Sequence, residues 1–447
     1  MNGFGESFKI PELRKRVFFT IMMLVIYRIG VFVPTPGIDA DKFKDLFEQA
    51  SSSLFGVVNM FSGGALENFS IFTLGIMPYI SVSIIMQLMQ GVFKPLEELA
   101  KEGEQGRRKI SRYTRIITVF LALFQGYMIS MGLEKQGLVI GGGFGFRVET
   151  AITLTAGTMF VMWLGEQITE RGLGNGISIV IMAGIVARMP ATIGQTMDLM
   201  TTNEISPAKV LLLFVFAVMT IAFIVFCEQA LRKIPVQYPK RAVGRQMTQA
   251  VTQHLPLKIN SSGVIPPIFA STLLSFPLMI IQFGQIGFLQ PYVNYFYQGS
   301  WIYELVFALL ITFFAFFYTA IVFDPEKVAE NLKRNGGFVP TVRPGKDTAE
   351  YLDNVLKRLT VWGSVYLSLI CILPQIVYRE LNASSFIYFF GGTAVLIVVG
   401  VVLDTIRQIE SHVVSRNYDT FMKKGFGKMR GGATAAMPHM KGRLIQR

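Results

Sequence analysis

Few side chains in this 447-residue sequence are arranged to carry out covalent or metal chemistry. The three histidines, His254, His412 and His439, all fall in polar segments, so they predict neither a metal site nor a histidine proton relay inside an apolar segment. No H-E-x-x-H pair and no G-x-x-x-x-G-K-[ST] phosphate loop occurs. The GLGNG run at 172–176 joins two apolar segments, which favours a tight turn over a nucleotide loop. We therefore expect no catalytic residue, no cofactor and no bound metal.

Ionisable residues deep in apolar segments would indicate ion-coupled transport or a proton relay. Glu166, Glu228 and Asp404 lie toward the ends of such segments, where solvation at an interface explains them, and the middles are uncharged. Cys227 and Cys371 both lie in apolar tracts and are interpreted as small buried hydrophobic residues. An ion-coupled carrier of small solutes stays as an alternative, but the shortage of buried charge counts against it.

The elements that hold these residues are apolar segments of membrane-spanning length. Of the chain, 51% is hydrophobic and 16% is charged, against about 25% charged residues in soluble proteins. A span needs about 20 mostly apolar residues. By that measure the sequence predicts ten spans, at 17–33, 71–92, 115–133, 150–168, 176–195, 208–228, 263–283, 303–323, 360–378 and 386–404. The polar start of the chain, before the first of them, predicts no cleavable signal peptide.

The 42 lysine and arginine residues are distributed unevenly between the two sides of the predicted membrane. One side receives all of them except Arg28, Lys42, Lys44, Lys135, Arg147, Arg188, Lys209 and Arg379. Because positively charged loops remain cytoplasmic, we expect both termini in the cytoplasm. The formal charge of +13 is thus spread over loops between spans, which argues against a globular nucleic-acid-binding domain.

The spans form two sets of five, and the second set begins with the span at about 208. Since five is odd, two halves that share a fold must be inverted relative to each other. Residues 229–262 and 324–359 form long basic loops, interpreted as cytoplasmic docking loops, with a merely solvated loop as the alternative. The predicted divisions are a cytoplasmic segment 1–16, the region 17–228 with the first six spans, the loop 229–262, the rest of the second half 263–404, and a basic tail 405–447.

Segment 54–70 is apolar at intervals, but it is too short to cross a bilayer and is interrupted by Gly63, Gly64, Glu67 and Asn68. It is either an external loop or a short helix folded back into a cavity, where irregular backbone is tolerated.

The second span of each half is associated with helix breakers and uncharged polar residues. These are Pro78 and Gln87 in one half and Asn260, Pro266 and Pro267 in the other. A proline inside a span bends it and frees a carbonyl, and discontinuous spans at corresponding positions indicate a functional pathway. Ordinary packing irregularity is the alternative.

Six blocks of this sequence, in order, resemble the SecY family. They are FSGGALENFSIFTLGIMPYISVSIIMQL, EGEQGRRKISRYTR, MWLGEQITERGLGNGISIVI, HLPLKINSSGVIPPIFA, FYTAIVFDPEKVAENLKRNGGFVPTVRPG and FGGTAVLIVVGVVLD. The resemblance implies an all-α polytopic membrane protein with ten transmembrane helices in two inverted five-helix halves around a central pore, and a short plug helix at about 57–69. It also implies a protein-conducting channel that passes unfolded secretory polypeptides across the bacterial cytoplasmic membrane and releases transmembrane segments laterally into it.

The same resemblance implies roles for individual residues. The pore ring is matched by Ile76, Ile80, Ile181, Ile268 and Ile397, and the plug by Asn59, Phe61, Gly63, Gly64 and Leu66. Gln87 and Asn260 correspond to polar members of a lateral gate between spans 71–92 and 263–283, and Arg241, Arg245 and Arg343 to docking residues. Thr272 and Leu273 stand where further aliphatic lining is expected, so the full ring on that span stays open.

The absence of a nucleotide site in the sequence means that movement must be driven from outside the chain. The partners that the resemblance implies are the SecA ATPase or a translating ribosome on the cytoplasmic face, with the small membrane subunits SecE and SecG. Signal sequences and preproteins are the implied substrates, and membrane lipid borders the lateral gate. Docking of a ribosome on the basic loops would allow an indirect contact with ribosomal RNA.

Overall fold

The computed structural model describes residues 11–38, 43, 59, 62–202, 206–238, 242–243, 246–247, 251–284, 300–380, 391–411 and 413. Within these ranges the protein is mainly helical. The helices are α1 (Pro11–Gly30), α2 (Met77–Val92), α3 (Lys94–Lys101), α4 (Glu104–Lys135), α5 (Phe144–Arg171), α6 (Gly176–Thr201), α7 (Pro207–Gln229), α8 (Ile265–Gly284), α9 (Trp301–Val322), α10 (Pro325–Arg334), α11 (Lys346–Glu380) and α12 (Gly392–Ser411).

Seven helices in the described ranges are long and apolar enough to cross a membrane, namely α4, α5, α6, α7, α9, α11 and α12. Helices α2 and α8 are apolar but shorter, and α1 begins with the charged residues of PELRKR. Each of the ten predicted spans therefore coincides with one of these helices. Several hydroxyl groups within them donate back to their own helix, as Thr118 does to the carbonyl of Thr114 at 2.7 Å, and such bonds are satisfied without water.

The prolines at the start of α2 and α8 do not bend these helices, so that part of the sequence prediction is wrong. Residues 71–76 form turns, Gly75 adopts a positive φ of 54°, and α2 begins only at Met77. Pro78 then lies in the first helical turn, where a missing N–H removes no hydrogen bond, and Pro266 and Pro267 do the same in α8. Prolines interior to a helix occur instead at positions 190, 277 and 374.

Helices of each half pack mainly on one another. In the first half α5 contacts α1, α4 and α6, and in the second half α9 and α7 contact α11. Helix α8 packs on α9 in its own half and also crosses to contact α2 and α4. The seam between the halves therefore runs along α2, α4 and α8, and one buried apolar cluster extends across it.

A small platform projects beyond the membrane helices. It consists of strands β1 (Leu231–Tyr238) and β4 (Val251–Lys258), helix α10 and the first turns of α11. The two strands are antiparallel and pair from Leu231↔Lys258 to Tyr238↔Val251, and between them β2 (Ala242–Val243) pairs with β3 (Gln246–Met247). The predicted loop 324–359 is thus largely helical, because α10 occupies 325–334 and α11 begins at Lys346, fourteen residues before the predicted span at 360.

The two predicted docking loops form one body in the platform. The N–H of Gln237 donates to the carbonyl of Phe338 at 2.9 Å, and the N–H of Phe338 donates back at 3.0 Å. Beneath this bridge lies an apolar cluster with the buried residues Ile234, Leu257, Val339 and Leu352, drawn from both loops and from α11. The loops therefore share a core and present a single surface.

Candidate functional site

The five isoleucines assigned to the pore ring come together in a single buried cluster. Ile80 lies in α2, Ile181 in α6, Ile268 in α8 and Ile397 in α12, so both halves contribute. The sequence had predicted Ile76 inside a span, but it lies in the turn before α2, because that helix begins at Met77. Exposure of the five ranges from 0% at Ile397 to 9% at Ile268. The isoleucines therefore belong to the buried apolar interior that extends across the seam.

Two polar side chains of α8, Ser271 and Thr272, are buried beside this apolar interior. The hydroxyl groups of Ser271 and Thr272 donate to the carbonyl of Ile268 at 2.9 and 2.7 Å, so their hydrogen-bonding demand is met within the helix. Thr272 is buried, whereas Leu273 is 46% exposed and faces away from the cluster. An aliphatic ring makes contacts without directional preference, and a narrow apolar constriction resists ions by dewetting.

The described part of the predicted plug is Asn59 together with residues 62–69, and Phe61 lies outside the described residues. Asn59 is helical, and residues 62–69 form turns. The side chain of Asn59 organises them, since its Oδ1 accepts from the N–H of Glu67 at 3.1 Å and its carbonyl accepts from the N–H of Gly64 at 3.0 Å. Asn59 is 1% exposed, so these bonds are shielded from water.

Apolar residues of the plug segment enter two different clusters. Ala65 belongs to the cluster that contains the five isoleucines. Leu66 and Phe69 belong to a second cluster with Phe43, Ile129 and other residues of α4, and the rings of Phe43 and Phe69 meet edge to face at 5.0 Å. The segment thus contributes to the apolar cluster that contains the five isoleucines and also packs against α4.

Polar groups of α1 hold the plug backbone. The Oη of Tyr27 donates to the carbonyl of Ser62 at 3.0 Å, and Nη1 of Arg28 donates to the carbonyl of Gly63 at 2.8 Å. Gly63 has a φ of +68°, a conformation that favours glycine. A Cβ at Gly63 would come within 2.8 Å of the Cα of Gly184, so the plug and α6 touch backbone to backbone.

An ion pair joins the plug to the middle of α6. Nη2 of Arg188 contacts Oε2 of Glu67, and both side chains are partly buried. Arg188 is the thirteenth residue of α6, so the expectation of uncharged span centres is wrong at this position. It arose because the predicted span ended at 195, whereas α6 continues to Thr201 and moves Arg188 away from the helix end. An arginine inside a span was itself the available signal for a partner.

The two residues assigned to the lateral gate have separate surroundings. Nε2 of Gln87 donates to Oγ of Ser83 on its own helix at 3.3 Å. Asn260 lies in the connection before α8, is 2% exposed, and donates through Nδ2 to Oε1 of Glu228 at 2.6 Å and to the carbonyl of Gly263 at 3.1 Å. Glu228 is therefore a buried partner of Asn260, and interfacial solvation does not account for it.

Helix α12 is attached to the same corner. Nη2 of Arg407 donates to the carbonyl of Glu228 at 3.0 Å, and a Cβ at Gly400 would meet Cγ1 of Val264 at 2.5 Å. The end of α7, the start of α8 and α12 are therefore fixed to one another. Glu228 was identified in the sequence but not connected to Asn260, since a contact between residues 32 positions apart leaves no periodic pattern.

Arg343 occupies an exposed tip of the platform, while Arg241 and Arg245 lie outside the described residues. The tip is shaped by backbone contacts, because Oγ1 of Thr348 donates to the carbonyl of Arg343 at 2.7 Å and the N–H of Val342 donates to the carbonyl of Val339 at 3.2 Å. The guanidinium group therefore projects from an ordered turn.

Helix α10, beside this tip, is capped by Asp324. Oδ1 of Asp324 accepts from the N–H groups of Glu326 and Lys327 at 3.1 and 3.2 Å. The hydrogen bond from the Lys327 side chain lowers the pKa of Asp324 below its ordinary value, so the cap is ionised at neutral pH. Among the residues that the structure describes, no three His, Cys, Asp or Glu side chains lie close enough together to hold a metal ion.

Comparison with known proteins assigns the family. The SecY family model matches residues 70–406. The protein translocase subunit SecY of Pseudomonas aeruginosa is 49% identical over 419 residues, which cover 93% of this chain and 94% of the relative. The subunit of the same name from Escherichia coli K12 is 47% identical over 431 residues, 94% of this chain and 97% of the relative.

Solved structures share the fold at low sequence identity. One described as a protein conducting channel matches with a TM-score of 0.65 and 17% identity over 92% of this chain and 96% of that chain. Sec61 in a canine ribosome-channel complex matches with a TM-score of 0.62 and 16% identity over the same shares. On the extent of the family match and the near-complete coverage by these relatives, the chain belongs to the SecY family.

Proposed function

We propose that this chain is the channel subunit through which unfolded secretory polypeptides cross the bacterial cytoplasmic membrane and from which transmembrane segments pass laterally into lipid. The observation that carries the proposal is the convergence of five isoleucines from both halves in one buried cluster, with the plug segment against it. An aliphatic ring can close around a polypeptide of almost any composition, because apolar contact makes no demand for a particular partner. The chain then acts as a channel and not as an enzyme.

The lateral gate is the seam between α2 and α8, which pack directly on each other. Helix α2, with 16 residues, is shorter than the other spans, and both helices carry prolines in their first turn. Gln87 and Asn260 are the polar residues that we assign to this seam.

The platform is the docking surface for the SecA ATPase or a ribosome, with both chain termini on the same cytoplasmic side. Its two loops share one core and present Arg343 on an ordered turn, which supports a rigid contact. Arg241 and Arg245 would extend the basic surface, and a docked ribosome would bring ribosomal RNA near it. SecE and SecG are the proposed membrane partners, with signal sequences and preproteins as substrates.

Import into vesicles tests the function. Full-length chain is reconstituted with SecE and given a secretory precursor, with and without SecA and ATP. Precursor should become protease-protected only when SecA and ATP are both present. Solute uptake driven by an ion gradient, in the absence of SecA and without precursor import, would instead support the ion-coupled carrier.

Two further measurements resolve the parts of the proposal. A precursor stalled in transit should crosslink to cysteines at the five ring positions, and less to a cysteine at Ile85, which lies on the exposed face of α2.

Arg343→Glu should lower SecA-driven import severalfold with unchanged thermal stability, since its side chain is exposed. Full import by this variant would remove the docking role of Arg343.

A further inference from the structure

The middle of α6 carries the positive charge of Arg188, which a pore wall lined by apolar side chains does not need. With a rise of about 1.5 Å per residue, the thirteenth residue of a helix lies about 18 Å from its start, which is far from either end of a 26-residue helix. Arg188 is at that position, and its guanidinium contacts the carboxylate of Glu67 in the plug segment. A charged residue inside a span is retained only with a partner.

The carboxylate of Glu67 is the negative charge beside the two arginines Arg28 and Arg188. Arg28 approaches the plug from α1 and donates to the carbonyl of Gly63, and its positive charge also acts on Arg188. The Glu67 carboxylate binds Arg188 and is oriented by Nδ2 of Asn59 at 3.4 Å. Two cations thus face one short segment, and departure of Glu67 would leave their repulsion uncompensated.

Contacts beside the ion pair fix its geometry. Gly184 touches the backbone of Gly63, and the aliphatic stem of Arg188 lies over Gly64, where a Cβ would be 3.6 Å from Cδ of Arg188. Ile181, Gly184 and Arg188 are spaced by three and four residues, so they lie on one face of α6. The same helix face therefore carries a ring residue, the plug contact and the ion pair.

From this arrangement we propose that Glu67 and Arg188 are positioning residues that latch the plug over the constriction, so that the plug leaves only when their opposite charges separate. The inference rests on the proposed channel function, since a latch has meaning only for a pathway that must stay closed. Because Ile181 and Arg188 share a face of α6, a rotation of that helix that widens the ring also pulls on the latch.

Charge reversal tests the latch. Full-length chain with SecE is placed in planar bilayers, and the resting open probability is measured without precursor. Glu67→Arg and Arg188→Glu should each raise it about tenfold, as expected for turning a partly buried attraction into repulsion. The double variant E67R/R188E should return it to within about twofold of wild type, because the pair is restored in the opposite sense.

A second ion pair provides the matched control. Glu134 of α4 and Arg147 of α5 form a partly buried pair of similar exposure that does not contact the plug. The single and double reversals there should leave the resting open probability unchanged. An equal rise in resting open probability after reversal at either pair would overturn the latch. So would a double variant E67R/R188E whose open probability is as high as that of the single variants.

Neutral variants cover the case in which a reversed chain fails to assemble. Glu67→Gln should leak more than Arg188→Gln, because it leaves Arg28 and Arg188 unopposed, and equal leak would contradict the proposal. Precursor import by the wild-type chain is measured in parallel. Import with no effect of any variant on leak would reject the latch and retain the channel, whereas a wild-type chain that imports nothing would reject the channel itself.

Discussion

In the proposed channel, the ring and the plug segment close the same pathway with different kinds of contact. The five isoleucines assigned to the ring lie together in one apolar cluster drawn from both halves. The plug is held by directional contacts, namely hydrogen bonds from Tyr27 and Arg28, the Gly63–Gly184 approach and the Arg188–Glu67 pair. The ring should therefore tolerate changes of side-chain shape but not of polarity, whereas the plug should be sensitive to the loss or gain of single atoms.

The largest effect is expected from polarity in the ring. The double variant Ile80→Asn and Ile181→Asn buries two amides without partners, which should lower stability by about 3 kcal/mol and make the constriction wettable. Resting conductance in planar bilayers should rise well above wild type. Ile85→Asn, on the exposed face of α2, is the control. Unchanged conductance of the double variant would contradict an apolar seal.

A methyl group at the contact between plug and α6 should have the next largest effect. Gly184→Ala would place a Cβ 2.9 Å from the Cα of Gly63, so the plug must shift, at a loss of about 2 kcal/mol and with increased leak. Gly194→Ala is the matched control, because no atom lies within 4 Å of its added Cβ. That control should be stabilised by up to about 1 kcal/mol. Thermal unfolding in detergent and resting conductance would measure both, and equal behaviour would contradict the close approach.

Loss of one hydroxyl group should have a smaller effect. Tyr27→Phe keeps the packing of a ring that is 2% exposed but removes the donor to the carbonyl of Ser62, which should cost about 1 kcal/mol. We expect a modest rise in resting open probability and no loss of precursor import. Tyr113→Phe, at an exposed position of α4, should change neither quantity.

The smallest effect is expected from a change of shape within the ring. Ile181→Leu conserves volume and polarity, so stability should fall by less than about 1 kcal/mol and resting conductance should stay at the wild-type value. A leak as large as that of Gly184→Ala would show that the ring, too, depends on directional fit and would remove the distinction between the two closures.

The sequence predicted a helix well where hydropathy alone decides, as in α7, whose bounds differ from the predicted span by one residue at each end. It failed at helix ends. Residues 71–76 are apolar enough to continue a span, yet Gly75 and Pro78 start the helix at Met77 and leave Ile76 in a turn. Hydropathy does not register this local geometry, because a turn that is buried among other helices is as apolar as a helix.

The site residues divide in the same way. The ring positions followed from the family resemblance and then met in one cluster, but the plug anchors did not follow from any pattern. Arg28 and Arg188 lie inside predicted spans, where the charge count assigns them only to the less basic side, and no pattern distinguishes Tyr27. Their role depends on contacts between segments 35 to 121 residues apart, which only the folded chain brings together.

The hydrogen bond between Asn260 and Glu228 lies on the short connection between the β1–β4 hairpin and helix α8. The N–H of Ile259 donates to the carbonyl of Ala230 at 3.2 Å, closing the base of the β1–β4 hairpin, and the next contact along is the 2.6 Å bond from Asn260 to Glu228. Helix α8 begins at Ile265, with little slack after Asn260. The β1–β4 hairpin and helix α8 are thus joined by a short connection that hydrogen bonds hold in place. Under the proposed function, force from a motor docked on the platform would reach the seam between α2 and α8 through the chain itself.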